Sequence, residues 1–243
     1  DWRVRLQLAP AADYLYRADK VQGILAPLKE TDGVLFPYTP QITVGYAAHY
    51  DPYDITHSNY KINQYKGSSV DQVNLTCNFT AQDTYEANYL LAVVHFFRSV
   101  TKMFYGQDQH PKPGTPPPLC YLSGFGQFQF NMHPLVITSF TYSLPDNVDY
   151  IRAGTTTTLA GVDKSYSGYQ SAESPGTCAA PKGGEAQPPR WQTAPGGTVE
   201  PTYVPTKMQI QLTALPIVTR NEISSVFSLK DYSTGKLLKG GIW

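Results

Sequence analysis

Hydrophobic and polar residues alternate in several stretches of the chain, and each predicts a strand with one face buried and one face wet. In "VNLTCNFT", Val73, Leu75, Cys77 and Phe79 fall on one side and Asn74, Thr76, Asn78 and Thr80 on the other. Val4, Leu6 and Leu8 alternate with Arg3, Arg5 and Gln7. Ile42, Val44, Tyr46, Ala48 and Tyr50 form a row after the turn signal Pro37-Tyr38-Thr39-Pro40. Val136, Thr138, Phe140, Tyr142 and Leu144 form another, with Ile137, Ser139, Thr141 and Ser143 behind. Met208, Ile210, Leu212 and Ala214 alternate with Lys207, Gln209, Gln211 and Thr213. With Tyr60 to Tyr65 and Leu119 to Phe130, about seven strands joined by Gly, Pro, Asn and Asp turns are expected. The fold class predicted is mainly β: an antiparallel β-barrel or sandwich.

One segment, "TAQDTYEANYLLAVVHFFRSVTKMFYG", changes period from two to about 3.6 and predicts a single flanking α-helix over about 81–105. Thr80 with Asp83 three residues on reads as a capping box, and Lys102 followed by Gly106 reads as a C-terminus. Two apolar stripes lie side by side. Leu91, Val94 and Phe97, with Phe104 beyond, are assigned to the subunit's own sheet. Tyr89, Val93, Phe96, Val100 and Met103 are assigned to a subunit interface. An apolar arc wider than one sheet can cover needs a second body. Nothing in the sequence fixes the rotation of the helix, so the two assignments can be exchanged.

From 153 to 203 the composition shifts to Gly, Pro, Ser and Thr, which predicts an insertion outside a single domain spanning 1–243. "HPKPGTPPP" reads as a stiff connector after the helix, and 229–243 as a C-terminal arm.

Composition narrows the function classes. Lysine plus arginine and aspartate plus glutamate each number 19, so no net field steers the chain to nucleic acid or a membrane. No secretory h-region and no run of 18 apolar residues is present, so neither export nor a membrane span is expected. Cys77, Cys120 and Cys178 are an odd number without a C-x-x-C pair, which argues against a disulfide framework and a zinc site. Eighteen tyrosines suit either a tyrosine-rich β core or a protein–protein surface. Asn74-Leu75-Thr76 and Asn78-Phe79-Thr80 match the glycosylation sequon, but the strand pattern accounts for the same residues.

No catalytic constellation emerges. His49, His57, His95, His110 and His133 share no ligand spacing. The glycines of "GFGQF" open no helix and read as a bulge or close backbone approach rather than a phosphate cradle. Ser123 is not in a G-x-S-x-G elbow, and Asp146 and Asp149 lie in a turn. No metal, cofactor or enzymatic activity is expected.

The segments "DWRVRL", "TDGVLFPYTPQI", "THSNY", "LAVVHFFRSVTKMFYG", "GTPPPLCYLSGFGQF", "LVITSFTYSLPDNVDYI" and "VPTKMQIQLTALPIVTR" resemble a virion family of contractile-tailed, T-even-like phages and cyanophages: the proteins that join the baseplate to the tail tube, the tube initiators or caps. The resemblance covers Asp1 to Arg152 and Val204 to Leu229 but not the insertion. It implies a tail-tube-type β-barrel with a flanking helix, assembled as a homo-oligomeric ring, hexameric in this family, with no enzymatic activity. The implied partners are further copies of the chain, baseplate hub proteins and tail-tube proteins, with genomic DNA as passing cargo in the lumen. The implied location is the virion tail, assembled in the host cytoplasm. The major tail-tube subunit is an alternative within the class, and a secreted carbohydrate-binding β-sandwich is the alternative outside it.

Overall fold

Strong alternation puts the central strands where the sequence predicts them. β1 (Arg5–Leu8), β2 (Val34–Leu35), β3 (Gln41–Thr43), β6 (Val73–Thr80), β7 (Cys120–Gly124), β8 (Phe130–Ser143) and β11 (Lys207–Pro216) form one antiparallel sheet in the order β2-β1-β7-β8-β11-β6-β3. These elements come from a computed structural model that describes residues 2–10, 12, 14–18, 24–104, 114–153 and 202–243. Two further antiparallel pairs, β4 (Tyr46–Tyr53) with β5 (Ile62–Val70) and β9 (Tyr150–Ala153) with β10 (Thr202–Pro205), complete the strands among the described residues. The chain is mainly β, with large antiparallel sheets. The seven-stranded sheet has two ends, the short strands β2 and β3, so its pairing does not close into a ring.

Cross-strand register fixes which face is buried. Leu75 stands opposite Leu212, which stands opposite Phe140; Cys77 stands opposite Ile210, and Phe79 opposite Met208. Directly opposed residues share a face, so these pairs and Leu6–Leu122 and Leu8–Cys120 make one continuous apolar surface. Leu75, Cys77, Phe79, Ile210 and Leu212 are all buried.

β8 departs from the expected row. Its first half buries His133, Leu135 and Ile137, whereas its second half turns Phe140 and Tyr142 inward. Ile137 faces Ala214 and Ser139 faces Thr213, leaving Thr138 as the extra residue of a β-bulge. The bulge shifts the phase by one, so Val136 and Thr138 leave the row in which the sequence pattern placed them. The segment Leu119 to Phe130 is likewise not one strand. It turns after Gly124, where a second register irregularity falls and an added Cβ would lie 2.9 Å from Val4 Cα. The glycine there serves a bulge and a close backbone approach together.

The long helix, α2, spans Thr84–Val100, shorter than 81–105. Asp83 caps it: its carboxylate accepts from the Glu86 backbone N–H at 2.8 Å, and the Glu86 carboxylate accepts from the Gln82 N–H at 2.8 Å. The expected cap, Thr80, remains in β6 opposite Lys207. α2 lies against the apolar sheet face, with helix α1 (Pro27–Thr31) and the β9–β10 ribbon also touching it.

The insertion is bracketed by that ribbon, since Ala153 pairs with Thr202. Residues 154–201 lie outside the described residues, as do Gly106 and residues 110–113 of the connector. The C-terminal segment does not extend as an arm. After α3 (Leu229–Ser233) it returns to β8, burying Leu237, Ile242 and Trp243.

Candidate functional site

The helix residues assigned to an interface are, for the most part, inside the subunit. Val93 and Phe96 are fully buried and Val100 is 1% exposed. The Phe96 ring packs against Tyr16 at 5.6 Å between centroids and against Phe97 at 5.5 Å, and Phe97 meets Phe140 of the sheet at 5.4 Å. Thus the second body that the wide apolar arc requires is the chain's own N-terminal segment. Tyr89 is tied inside as well: its hydroxyl takes the Leu35 N–H at 2.8 Å and donates to the Leu35 carbonyl at 3.0 Å. Of the five, only Met103 is exposed. The interface assignment for Tyr89, Val93, Phe96 and Val100 is therefore corrected. On the other stripe Val94 and Phe97 are buried, Leu91 is half-buried, and Phe104 packs edge-on against Tyr14 at 5.0 Å.

What the subunit leaves uncovered is a hairpin. β4 and β5 prolong the β3–β6 edge beyond the body after a break at Val44–Gly45, where the Asp71 N–H donates to the Gly45 carbonyl at 2.7 Å. Alternation in the sequence predicts a buried row here, yet among the described residues its tyrosines stay exposed, with Tyr232 of the C-terminal segment beside Tyr46 at the root. Tyr46, Tyr50, Tyr53, Tyr60, Ile62 and Tyr65 are 50–83% exposed. The charges on the arm pair with each other, Lys61 with Asp54 at 3.0 Å and Lys66 with Asp51 at 3.1 Å. An isolated two-stranded hairpin is marginal in water. Exposed tyrosines on a neutral arm form a surface suited to partner proteins. The signal in the sequence was the tyrosine count from Tyr46 to Tyr65, five tyrosines against two isoleucines and no leucine or valine, the reverse of the balance in the core strands.

The outer face of the sheet is the second surface. Asn74, Thr76, Asn78, Ser139, Thr141, Ser143, Gln209, Gln211 and Thr213 stand on the side opposite the apolar rows of β6, β8 and β11. Thr213 donates to the Asn74 side-chain oxygen at 3.1 Å. These positions carry uncharged hydrogen-bonding groups, and Lys207 of β11 and Arg5 of β1 add cations to the same face. Asn74 and Asn78 point outward from it, as the strand pattern predicts.

The third feature is a groove of about 750 Å³ at the hairpin root, lined by Ile42, Val44, Tyr46, Phe125, Phe128 and Tyr232 among others. Tyr46 is exposed over most of its surface, but partial desolvation at the groove wall, with Tyr232 beside it, pushes its hydroxyl up to about 12. Lys239 Nζ sits 4.7 Å from the centre of the Phe128 ring.

Among the described residues no group of three or more His, Cys, Asp or Glu could hold a metal ion. Cys77 and Cys120 are buried, and burial pushes both thiols up to about 12, far from a reactive thiolate. No described helix is long and apolar enough to cross a membrane. Comparison with models of known protein families and with curated protein sequences gives no match.

Proposed function

We propose that the chain is a structural subunit that assembles with copies of itself into a ring, the role implied by its resemblance to the proteins joining baseplate and tail tube. The observation that carries this reading is the β4–β5 hairpin: two long strands, tyrosine-rich and charge-balanced, whose tyrosines stay exposed among the described residues. A closed ring would bury such an arm at every junction. In this role the ring is hexameric, rests on hub proteins of the baseplate and presents a surface on which the first tube ring polymerises. Catalysis has no part in it.

Light scattering after size exclusion, with negative-stain microscopy, tests the reading. The full chain is expected to form rings. Replacing residues 46–70 by a short Gly-Asn turn between Gly45 and Asp71, which already share a hydrogen bond, is expected to leave a folded monomer. A full chain that stays monomeric at high micromolar concentration, or a hairpin-less chain that still forms rings, contradicts it.

A further inference from the structure

From the groove at the hairpin root we infer that it is the socket for the hairpin tip of a second copy of this chain; this rests on the ring reading above. The groove opens between the start of β4, the β7–β8 turn and the C-terminal segment, with Phe125 and Phe128 exposed in its wall. Its lining is aromatic and aliphatic, and so is the hairpin tip, where Tyr53, Ile55, Tyr60 and Ile62 are 42–83% exposed. Both are uncovered apolar surfaces on one molecule, each lacking the contacts that the other offers.

Geometry excludes the tip of the same copy. Tyr46 is part of the groove wall and also the first residue of β4. From there β4 runs for eight residues, so its tip lies roughly 26 Å from its own groove at about 3.3 Å per residue. The arm can fill a socket only in a neighbour. The contact is then head-to-tail, each copy giving a tip and receiving one, which is the arrangement that closes into rings.

Area and charge favour this occupant over others. Covering the exposed parts of the tip residues Tyr53, Ile55, Tyr60 and Ile62 buries on the order of 400 Å², about half of the roughly 800 Å² that one partner contributes to a stable interface, and the socket's own aromatic wall is covered with it. The internal pairs Lys61–Asp54 and Lys66–Asp51 leave the arm neutral, which disfavours a nucleic acid or an anionic membrane as the occupant. An apolar contact of this kind also persists in high salt.

The test uses two full-length variants, Tyr60→Glu in the tip and Phe128→Glu in the socket. Both side chains are more than half exposed, so circular dichroism and urea midpoints should match the wild type. Each variant alone is expected to lose self-association by about 30-fold or more, the loss of one aromatic hot spot. Mixed, they should form a 1:1 heterodimer, because each tip-defective copy keeps an intact socket for the tip of the socket-defective copy. Phe128→Glu assembling like the wild type, or a mixture that stays monomeric, overturns the inference. If the wild type assembles and the hairpin-less chain does not, while Phe128→Glu assembles normally, only the socket falls and the ring reading stands. A wild type that never assembles removes both.

Discussion

The indole N–H of Trp243 donates to the carbonyl oxygen of Pro134 at 2.6 Å, which fastens the C-terminal segment to β8. The Trp243 ring also meets His133 edge-on at 4.9 Å and Phe130 at 6.1 Å. Gly241 makes the approach feasible: at its φ of 78° an added Cβ would lie 2.6 Å from the Met132 carbonyl oxygen. Trp243→Ala should therefore cost about 3 kcal/mol in urea unfolding. Gly241→Ala should release the segment, read as faster hydrogen exchange at Ile242 and Trp243 with β6 and β11 unchanged.

His133 gives this docking a pH dependence. Its Nδ1 accepts from the Asn131 N–H at 2.9 Å, so the native ring is neutral, and burial holds its pKa below the usual 6.5 despite an opposing hydrogen bond with the Ile242 backbone. At pH 8 both folded and unfolded chains carry a neutral ring. As pH falls below 6.5 the unfolded chain binds the proton first, so stability should decline until the lowered native pKa is passed and then level off. His133→Gln should flatten part of that decline in thermal midpoints between pH 5 and 8. His95, also lowered by burial and by Arg98, adds a slope of the same sign.

At the start of α2 two candidate caps are separated by one experiment. Asp83→Ala removes the acceptor for the Glu86 N–H and should cost about 1 kcal/mol. Thr80→Ala removes an exposed hydroxyl contact with Tyr38 at 3.1 Å and should fall within about 0.5 kcal/mol. Equal losses in chemical denaturation would return the cap to Thr80.

Much of the core was legible because its strands alternate between apolar residues on one side and polar residues on the other. β6 and β11 keep that phase from end to end. β8 does not, and a bulge leaves no mark in a pattern of types: Val136 and Thr138 fit the row as well as Leu135 and Ile137. The hairpin was legible as strands but not as uncovered strands, since a tyrosine reads the same in a core as on a projecting arm. Width of the apolar arc on α2 was read correctly as a need for two-sided cover. That the cover comes from Tyr16, more than sixty residues upstream in a segment without a strong period, depends on tertiary packing that the helix sequence does not encode.

The bulge can be tested by deletion. Removing Thr138 joins Ile137 opposite Ala214 directly to Ser139 opposite Thr213, a regular ladder with every apolar side chain still inward. That variant should fold cooperatively. Removing Thr141 instead carries Tyr142 to the position opposite Gln211, on the polar face, and breaks the stack of Phe140 on Tyr142 at 5.4 Å. It should lose the cooperative transition. If both deletions fold equally well, the phase shift at Thr138 is not what sets the inward row.

Phe96 and Phe97 provide the last comparison, because adjacent positions on a helix face different bodies. Phe97 packs on Phe140 of the sheet and Phe96 on Tyr16 of the N-terminal segment, and both are fully buried. A carboxylate at either place loses its hydration and forfeits a large side chain from the core. Each of Phe96→Asp and Phe97→Asp should therefore exceed about 4 kcal/mol and leave an unfolded or insoluble chain. Met103→Asp should fold, since that side chain is 48% exposed. The informative outcome is Phe96→Asp recovered soluble, with native circular dichroism but no rings. It would place Phe96 between subunits after all and make the N-terminal cover displaceable. An unfolded Phe96→Asp beside a folded, non-assembling Tyr60→Glu instead locates the assembly surface on the hairpin and the helix wholly in the core.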